Sequence, residues 1–204
     1  MVSLFPLLSS IQILPYDGET IYFGKVFDEL KATALYNELL LSVAWEHDVV
    51  KMMGRLITTK RKVAWMADGD FTYAYSHTEK KALPWQPRVA EIKSFCESIS
   101  GATFNSCLLN LYHSGDEGVT WHSDNEATLL PKGAIASVSL GAERKFRFKH
   151  KRTKEQIEIT LEHGSLLLMR GETQRAWLHE LPKSAKVKTP RVNLTFRTYI
   201  GRQP

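Results

Sequence analysis

Cysteine is nearly missing from this chain: Cys96 and Cys107 are the only two in 204 residues. They suit neither a disulfide framework nor a zinc cluster, and they point to a reducing compartment. Their expected role is that of small buried hydrophobes. No run of about 18 apolar residues is present, so no membrane span is expected. The opening MVSLFPLLSSIQILP is apolar, but it lacks the basic start and A-x-A-like cleavage site of a signal peptide. Repeats, low-complexity tracts and Gly/Ser-rich linkers are also missing. What is present is a 43% apolar fraction with five Trp, which excludes a disordered chain. At roughly 100–200 residues per domain, the expectation is one domain over 1–204, with a cytoplasmic location, or nuclear in a eukaryote. A monomer is expected.

Charge of one sign is also scarce: 22 Asp and Glu stand against 27 Lys and Arg, a net +5. The basic residues bunch at 60–62, at 149–154 and at Lys183, Lys186 and Lys188. A polyanion partner accounts for such bunching, and so do solvated loops. Two helices are predicted. The first covers 28–43, with Asp28 as cap, Phe27 as a staple residue, and Leu30, Ala34, Leu35, Leu39 and Val43 as its apolar stripe. The second runs from Pro87 to Ser100, carries Val89, Ile92, Phe95, Cys96 and Ile99, and is ended by Gly101. Residues 50–85 read as strands and loops. From Phe104 the period becomes two, giving candidate strands 104–112, 119–124, 135–140, 144–149, 156–161, 164–169, 174–179 and 191–200. Helices followed by many short strands suggest helices packed on a β-sandwich or jelly roll, an α+β chain that is mainly β.

Polar stripes on those strands carry the chemistry. In 191–200, Val192, Leu194, Phe196 and Ile200 share one face, while Arg191, Asn193, Thr195 and Arg197 share the other. Alone, that pattern describes a strand with its polar face in water. The two arginines are separated by about 20 Å of rise, enough to serve opposite ends of one pocket. Asn110 and Tyr112 form a second stripe, and His122 and Asp124 a third. His-x-Asp is weak by itself. Joined by His179 it becomes two imidazoles and one carboxylate, the facial triad of non-haem Fe(II) oxygenases, which leaves three metal positions open. Zinc hydrolysis needs one open position and usually a nearby Glu, and no H-E-x-x-H is present. His47, His77, His113, His150 and His163 fall in expected loops or turns and receive no role.

The order His122-x-Asp124, His179, Arg191 to Arg197, with Asn110-Leu111-Tyr112, Ala136 to Gly141 and His163 to Leu167, resembles the Fe(II)/2-oxoglutarate dioxygenases of AlkB type, most of all their double-strand DNA repair branch. The resemblance covers about residues 58–200, and residues 1–20 have no counterpart in it. It implies a double-stranded β-helix core over 101–204, with residues 1–100 supplying helices and a nucleotide-recognition segment. It implies Fe(II) on His122, Asp124 and His179, with 2-oxoglutarate and O2 as co-substrates. Arg191 and Tyr112 would take the distal carboxylate of 2-oxoglutarate, Arg197 and Asn110 would stand near its metal-bound end, and Asn193 and Thr195 would line the same wall. In Phe71 to Ser76, Tyr75 would stack on a flipped base and Tyr73 make a polar contact, with Glu126 on the exocyclic amino group. Trp65 departs from the aromatic usual in the branch. Val49, Val50, Met52 and Met53 are candidates for a finger that fills the gap left by the base. The implied activity is oxidative demethylation of 1-methyladenine and 3-methylcytosine in DNA, releasing formaldehyde, succinate and CO2. Action on RNA, a protein side chain or a small metabolite is the alternative within the same chemistry, and a non-catalytic binding module is the third reading.

Overall fold

A computed structural model describes residues 10–52, 55–69, 72–75 and 78–201, with the side chains of 50–52, 55, 72–75 and 78–80 left aside. In chain order the elements are β1 (Ile11–Gln12), β2 (Glu19–Lys25), α1 (Glu29–Ser42), β3 (Glu46–Met52), β4 (Arg55–Ala67), β5 (Thr72–Tyr75), β6 (Thr78–Lys81) and α2 (Pro87–Ser100). Then follow β7 (Ser106–Tyr112), β8 (Val119–His122), β9 (Ile135–Gly141), β10 (Arg144–His150), β11 (Gln156–Leu161), β12 (Ser165–Arg170), α3 (Thr173–Ala176), β13 (Trp177–Leu181) and β14 (Arg191–Arg197). An eight-stranded sheet runs β1-β2-β12-β9-β14-β7-β4-β3, a four-stranded sheet runs β11-β10-β13-β8, and β5 pairs with β6. The fold is the jelly roll expected, with the helices on the outer face of the large sheet. Four strands that precede α2, namely β1 to β4, extend that sheet at its two edges.

Two apolar clusters hold the layers together. One fills the space between helices and large sheet, where Ala32, Leu35 and Leu39 of α1 and Val89, Ile92 and Cys96 of α2 meet Leu109, Val138, Leu140, Val192, Leu194 and Phe196. The other lies between the two sheets, where Ile135, Leu167 and Met169 face Phe148, Leu161 and Trp177. Both strand faces of β14 are therefore covered, and its polar face is buried rather than in water. The strand is therefore not the half-exposed one its alternation alone describes: the second sheet roofs the polar stripe. No helix among the described residues is long and apolar enough to cross a membrane.

The helix ends follow their signals. Asp28 accepts a hydrogen bond from the Lys31 amide at 2.8 Å, and Gly101 closes α2 in the left-handed region at φ 67°. The apolar stripe of α1 differs from expectation. Leu30 is 86% exposed and Ala34 also faces solvent, while Ala32 takes the buried position. The backbone amides of Val26 and Phe27 both donate to Gly164 O, and that tether fixes the rotation with which the helix enters. Around His179 the predicted strand 174–179 is displaced. Residues 173–176 form the short helix α3, and the strand is Trp177–Leu181. His47 and His150 lie in β3 and β10, not in loops, and His77 lies outside the described residues.

Burial raises the Cys96 thiol to about 12, with a further contribution from the Glu97 charge, and burial also raises the Cys107 thiol well above its ordinary range. Thiolate is the reactive form. Native protein at pH 8 should therefore resist a thiol-reactive dye, and both cysteines should label after unfolding in guanidinium. Stoichiometric labelling of the native form within minutes would contradict this burial.

Candidate metal and co-substrate site

The inner face of the large sheet changes character along its width. Under β10 and β13 it is apolar. Around β14 it is polar, because the register of three neighbouring strands aligns their polar positions. Arg191 stands between Tyr112 of β7 and Gly141 of β9, Asn193 between Asn110 and Ser139, and Thr195 between Leu108 and Ser137. Gly141 has φ 86°, and a Cβ there would come within 2.6 Å of Pro190 O and the Tyr36 ring. Glycine thus lets the strand end pass close beside Arg191.

The roof supplies the histidines. His122 of β8 and His179 of β13 are cross-strand partners, with ring centroids 4.2 Å apart. Asp124 follows in the loop after β8, its carboxylate 4.0 Å from His122 Nε2. One ligand atom from each of the three lies within 4.8 Å of the others. His122 Nδ1 is 2.7 Å from Thr120 O, which fixes the ring and leaves Nε2 toward Asp124. Phe146 stacks on the His179 ring, with centroids 5.4 Å apart and planes at 29°. Burial, partly opposed by the Asp124 charge, lowers the His179 imidazole to about 3. The ring is thus held in its neutral form, the form a metal would require.

Arg197 grips Asp124 with both Nη2, at 2.6 Å, and Nε, at 3.2 Å, on Oδ2. Burial alone would raise the Asp124 carboxyl, but the Arg197 charge and the two imidazoles bring it down to about 2. This donor set of two neutral nitrogens and a fixed carboxylate fits Fe(II).

At the other end of β14, Arg191 is 2% exposed. It donates from Nη2 to Ser139 Oγ at 2.9 Å and lies 5.4 Å from the centre of the Tyr112 ring. Its Nε has no hydrogen-bond partner, and no carboxylate among the described residues pairs with it. Burial, with the Arg144 charge adding to it and Tyr112 opposing, lowers the guanidinium to about 10. Arg144 also lies over Tyr112, at 5.9 Å, but spends its Nη groups on the carbonyls of Ser114, Glu117 and Pro182. Asn110 Oδ1 is buried without a partner. A buried cation without a counter-charge is costly, and a ligand carboxylate would supply what the protein withholds.

The structure thus brings together nine of the residues singled out from sequence: His122, Asp124 and His179 in the roof, and Asn110, Tyr112, Arg191, Asn193, Thr195 and Arg197 on the floor. Asn193 is committed internally, donating to Ser137 Oγ and Val138 O and accepting from Thr195 Oγ1. Glu126 is exposed near the cleft. Loss of hydration there, then the Asp124 charge, raises its carboxyl. Tyr73 and Tyr75 lie on β5, but their side chains, like those of Val50 and Met52 and the whole of Met53, lie outside the described residues. Val49 is half-buried in β3.

Sequence reasoning missed Ser139, Arg144, Phe146 and Gln174. For Ser139 the signal was available, since Ser137 and Ser139 alternate with apolar residues in β9. It also treated the basic clusters as uniform. Arg61 turns inward to Asp48 at 2.5 Å and to Tyr112, and Lys151 turns inward to Ser123.

A family model for the 2OG-Fe(II) oxygenase superfamily matches residues 19–197, so the match begins well before residue 58. DNA oxidative demethylase ALKBH2 of Mus musculus is 36% identical over 192 residues, covering 89% of this chain and 79% of that protein. Alpha-ketoglutarate-dependent dioxygenase alkB homolog 3 of Homo sapiens is 37% identical over 188 residues, covering 87% of this chain and 65% of that one. The solved structure of OsALKBH1 superimposes with a TM-score of 0.60 at 14% identity, covering 92% of this chain and all of that one, a likeness of fold. With nitrogen, carboxylate and guanidinium groups lining one cleft and relatives of this kind over most of its length, the chain belongs to the 2OG-Fe(II) oxygenase superfamily and is a dioxygenase of AlkB type that works with Fe(II), 2-oxoglutarate and O2.

Proposed function

We propose that this chain is an oxidative demethylase of N-alkylated DNA bases, 1-methyladenine and 3-methylcytosine among them, acting as a single-domain monomer. The observation that carries the co-substrate half is Arg191, a buried guanidinium with no carboxylate partner among the described residues, at one end of a strand whose other end secures Asp124. His122, Asp124 and His179 would hold the iron. Bound there, the iron would supply, with O2 and 2-oxoglutarate, the oxidising chemistry for hydroxylating an N-methyl carbon, with succinate, CO2 and formaldehyde as the products.

Each protein group has a separate task in this scheme. Arg191 takes the distal carboxylate of 2-oxoglutarate, with Ser139 and Tyr112 fixing its fork. Arg197 holds Asp124 ionised and oriented. The Asn193, Thr195 and Ser137 lattice keeps the floor rigid between them. Glu126, standing beside the cleft with a raised carboxyl, accepts from the exocyclic amino group of the base. Tyr73 and Tyr75 hold the base out of its stack. The DNA assignment is supported by the relatives' named activity and by the net positive charge, and residues 1–100 supply the nucleotide-recognition segment.

Mass spectrometry of methylated oligonucleotides, incubated with iron and 2-oxoglutarate, tests the proposal. Single- and double-stranded DNA carrying 1-methyladenine or 3-methylcytosine should lose about 14 mass units, the difference between methyl and hydrogen. Loss on the RNA counterpart alone would move the substrate to RNA. Succinate release without change in any oligonucleotide would leave the oxygenase and remove the nucleic acid.

A further inference from the structure

Asp124 is not on a strand. It follows the four-residue strand β8, whose only sheet neighbour among the described residues is β13, at a register that shifts between His179 and Leu181. Strand pairing therefore does little to place the carboxylate, and side chains from two other elements reach this loop. Gln174 of α3, 7% exposed, accepts the Asp124 amide on Oε1 at 2.9 Å. Its Nε2 rests on Met169 Sδ at 3.4 Å. Lys151, at the end of β10, donates from Nζ to Ser123 Oγ at 3.1 Å and to Gln174 O at 2.9 Å. The ammonium thus ties Ser123, between His122 and Asp124, to the backbone of Gln174, which holds the Asp124 amide.

The other end of this linkage is anchored. Thr173, fully buried beside Gln174, has its hydroxyl at 2.8 Å from Arg170 O and 3.1 Å from Glu19 O, and it accepts the Glu19 amide at 2.9 Å. Glu19 opens β2, so the short helix is fixed against the edge of the large sheet. Arg197 holds the Asp124 carboxylate from that same sheet. Resting on the metal assignment above, we propose that Gln174 and Lys151 are positioning residues for the iron site, holding the His122-Ser123-Asp124 loop in its ligating shape from the backbone side. Neither touches a reacting atom. Lys151 is thereby withdrawn from the basic cluster at 149–154 as a surface cation.

Co2+ titration of the metal-free protein by calorimetry, with unfolding followed by circular dichroism, tests this. Partners of metal ligands typically change affinity about 10–100-fold. Gln174→Met, which keeps the volume and removes the acceptor, should raise the Co2+ Kd about 10-fold or more. Lys151→Met should raise it about 3- to 10-fold, and Lys151→Arg should recover most of that loss. The Gln174→Met and Lys151→Met effects should be non-additive, because both act through one linkage. Kd values within about 2-fold of the parent in folded variants would overturn the proposal. If Gln174→Met does not fold, Lys151→Met and its arginine counterpart decide. Undiminished Co2+ binding by His122→Ala would instead bring down the metal assignment, and this inference with it.

Discussion

Asp124→Ala abolishes turnover and weakens the metal-free fold together, whereas His122→Ala abolishes turnover and leaves the fold nearly intact. This contrast is the expected result because the two side chains have different surroundings. The Asp124 carboxylate is buried against Arg197 at 2.6 Å, so its removal strands a guanidinium in the cleft. Breaking a fully enclosed pair costs roughly 3–5 kcal/mol, and the partial exposure of Arg197 reduces this to about 2–4 kcal/mol. The His122 side chain is 39% exposed and loses only a bond to Thr120 O and some packing, about 1 kcal/mol. For both variants succinate release should fall at least about 1,000-fold, equivalent to about 4 kcal/mol of transition-state stabilisation. Urea unfolding of the metal-free proteins and a succinate assay check the two halves separately. Steady succinate release by either variant contradicts the metal assignment, and equal stability of the two contradicts the role given to Arg197.

Arg191→Met is expected to go the other way in stability. The guanidinium is buried, is hydrogen-bonded to the Ser139 and Tyr112 side chains, has no counter-charge among the described residues, and is disfavoured by Arg144 nearby. A thioether of similar length removes that desolvation cost, so the metal-free protein should be as stable as the parent or more stable by about 1–3 kcal/mol. The same change removes the charged fork for the distal carboxylate. Losing one partner of such a pair costs about 2–5 kcal/mol, so the KM for 2-oxoglutarate should rise about 30- to 5,000-fold. The thermal shift given by 2-oxoglutarate with Mn2+ should disappear. A variant that is both destabilised and unchanged in KM would show that Arg191 serves the fold and not the co-substrate. Stability held below its attainable value at a binding residue is common where function needs an unpaired charge.

Much of this was legible in the chain itself, and the reasons differ by element. The alternation of Arg191 to Arg197 is a local pattern, and so are His122-x-Asp124, the Asp28 cap and the Gly101 stop. Their structural meaning follows from periods of two and 3.6. Which side of that alternation faces the cleft is not local, because it depends on the second sheet that covers it. Gln174 was not legible because it acquires its role only from Asp124, a partner distant in sequence, whereas Ser139 could have been read from its alternation with apolar residues in β9. Of the stripe expected for α1, Leu35, Leu39 and Val43 are buried as expected, and only Leu30 and Ala34 were misassigned, for a related reason. Leu30, Ala34 and Leu41 make as good an apolar row as Ala32, Leu35 and Leu39, and the tether at Gly164, not helical periodicity, selects between them.

The placement of both key guanidiniums on β14 has a mechanical consequence. That strand is bonded on both sides, to β7 and to β9, along nearly its whole length. It acts as a caliper whose jaws are set by counting residues: an even count keeps both jaws inside, and one inserted or deleted residue sends a jaw into the helix layer. Chain length between the two arginines is therefore held more tightly than the identity of the residues between them, and point replacements there are a gentler perturbation than any change of spacing.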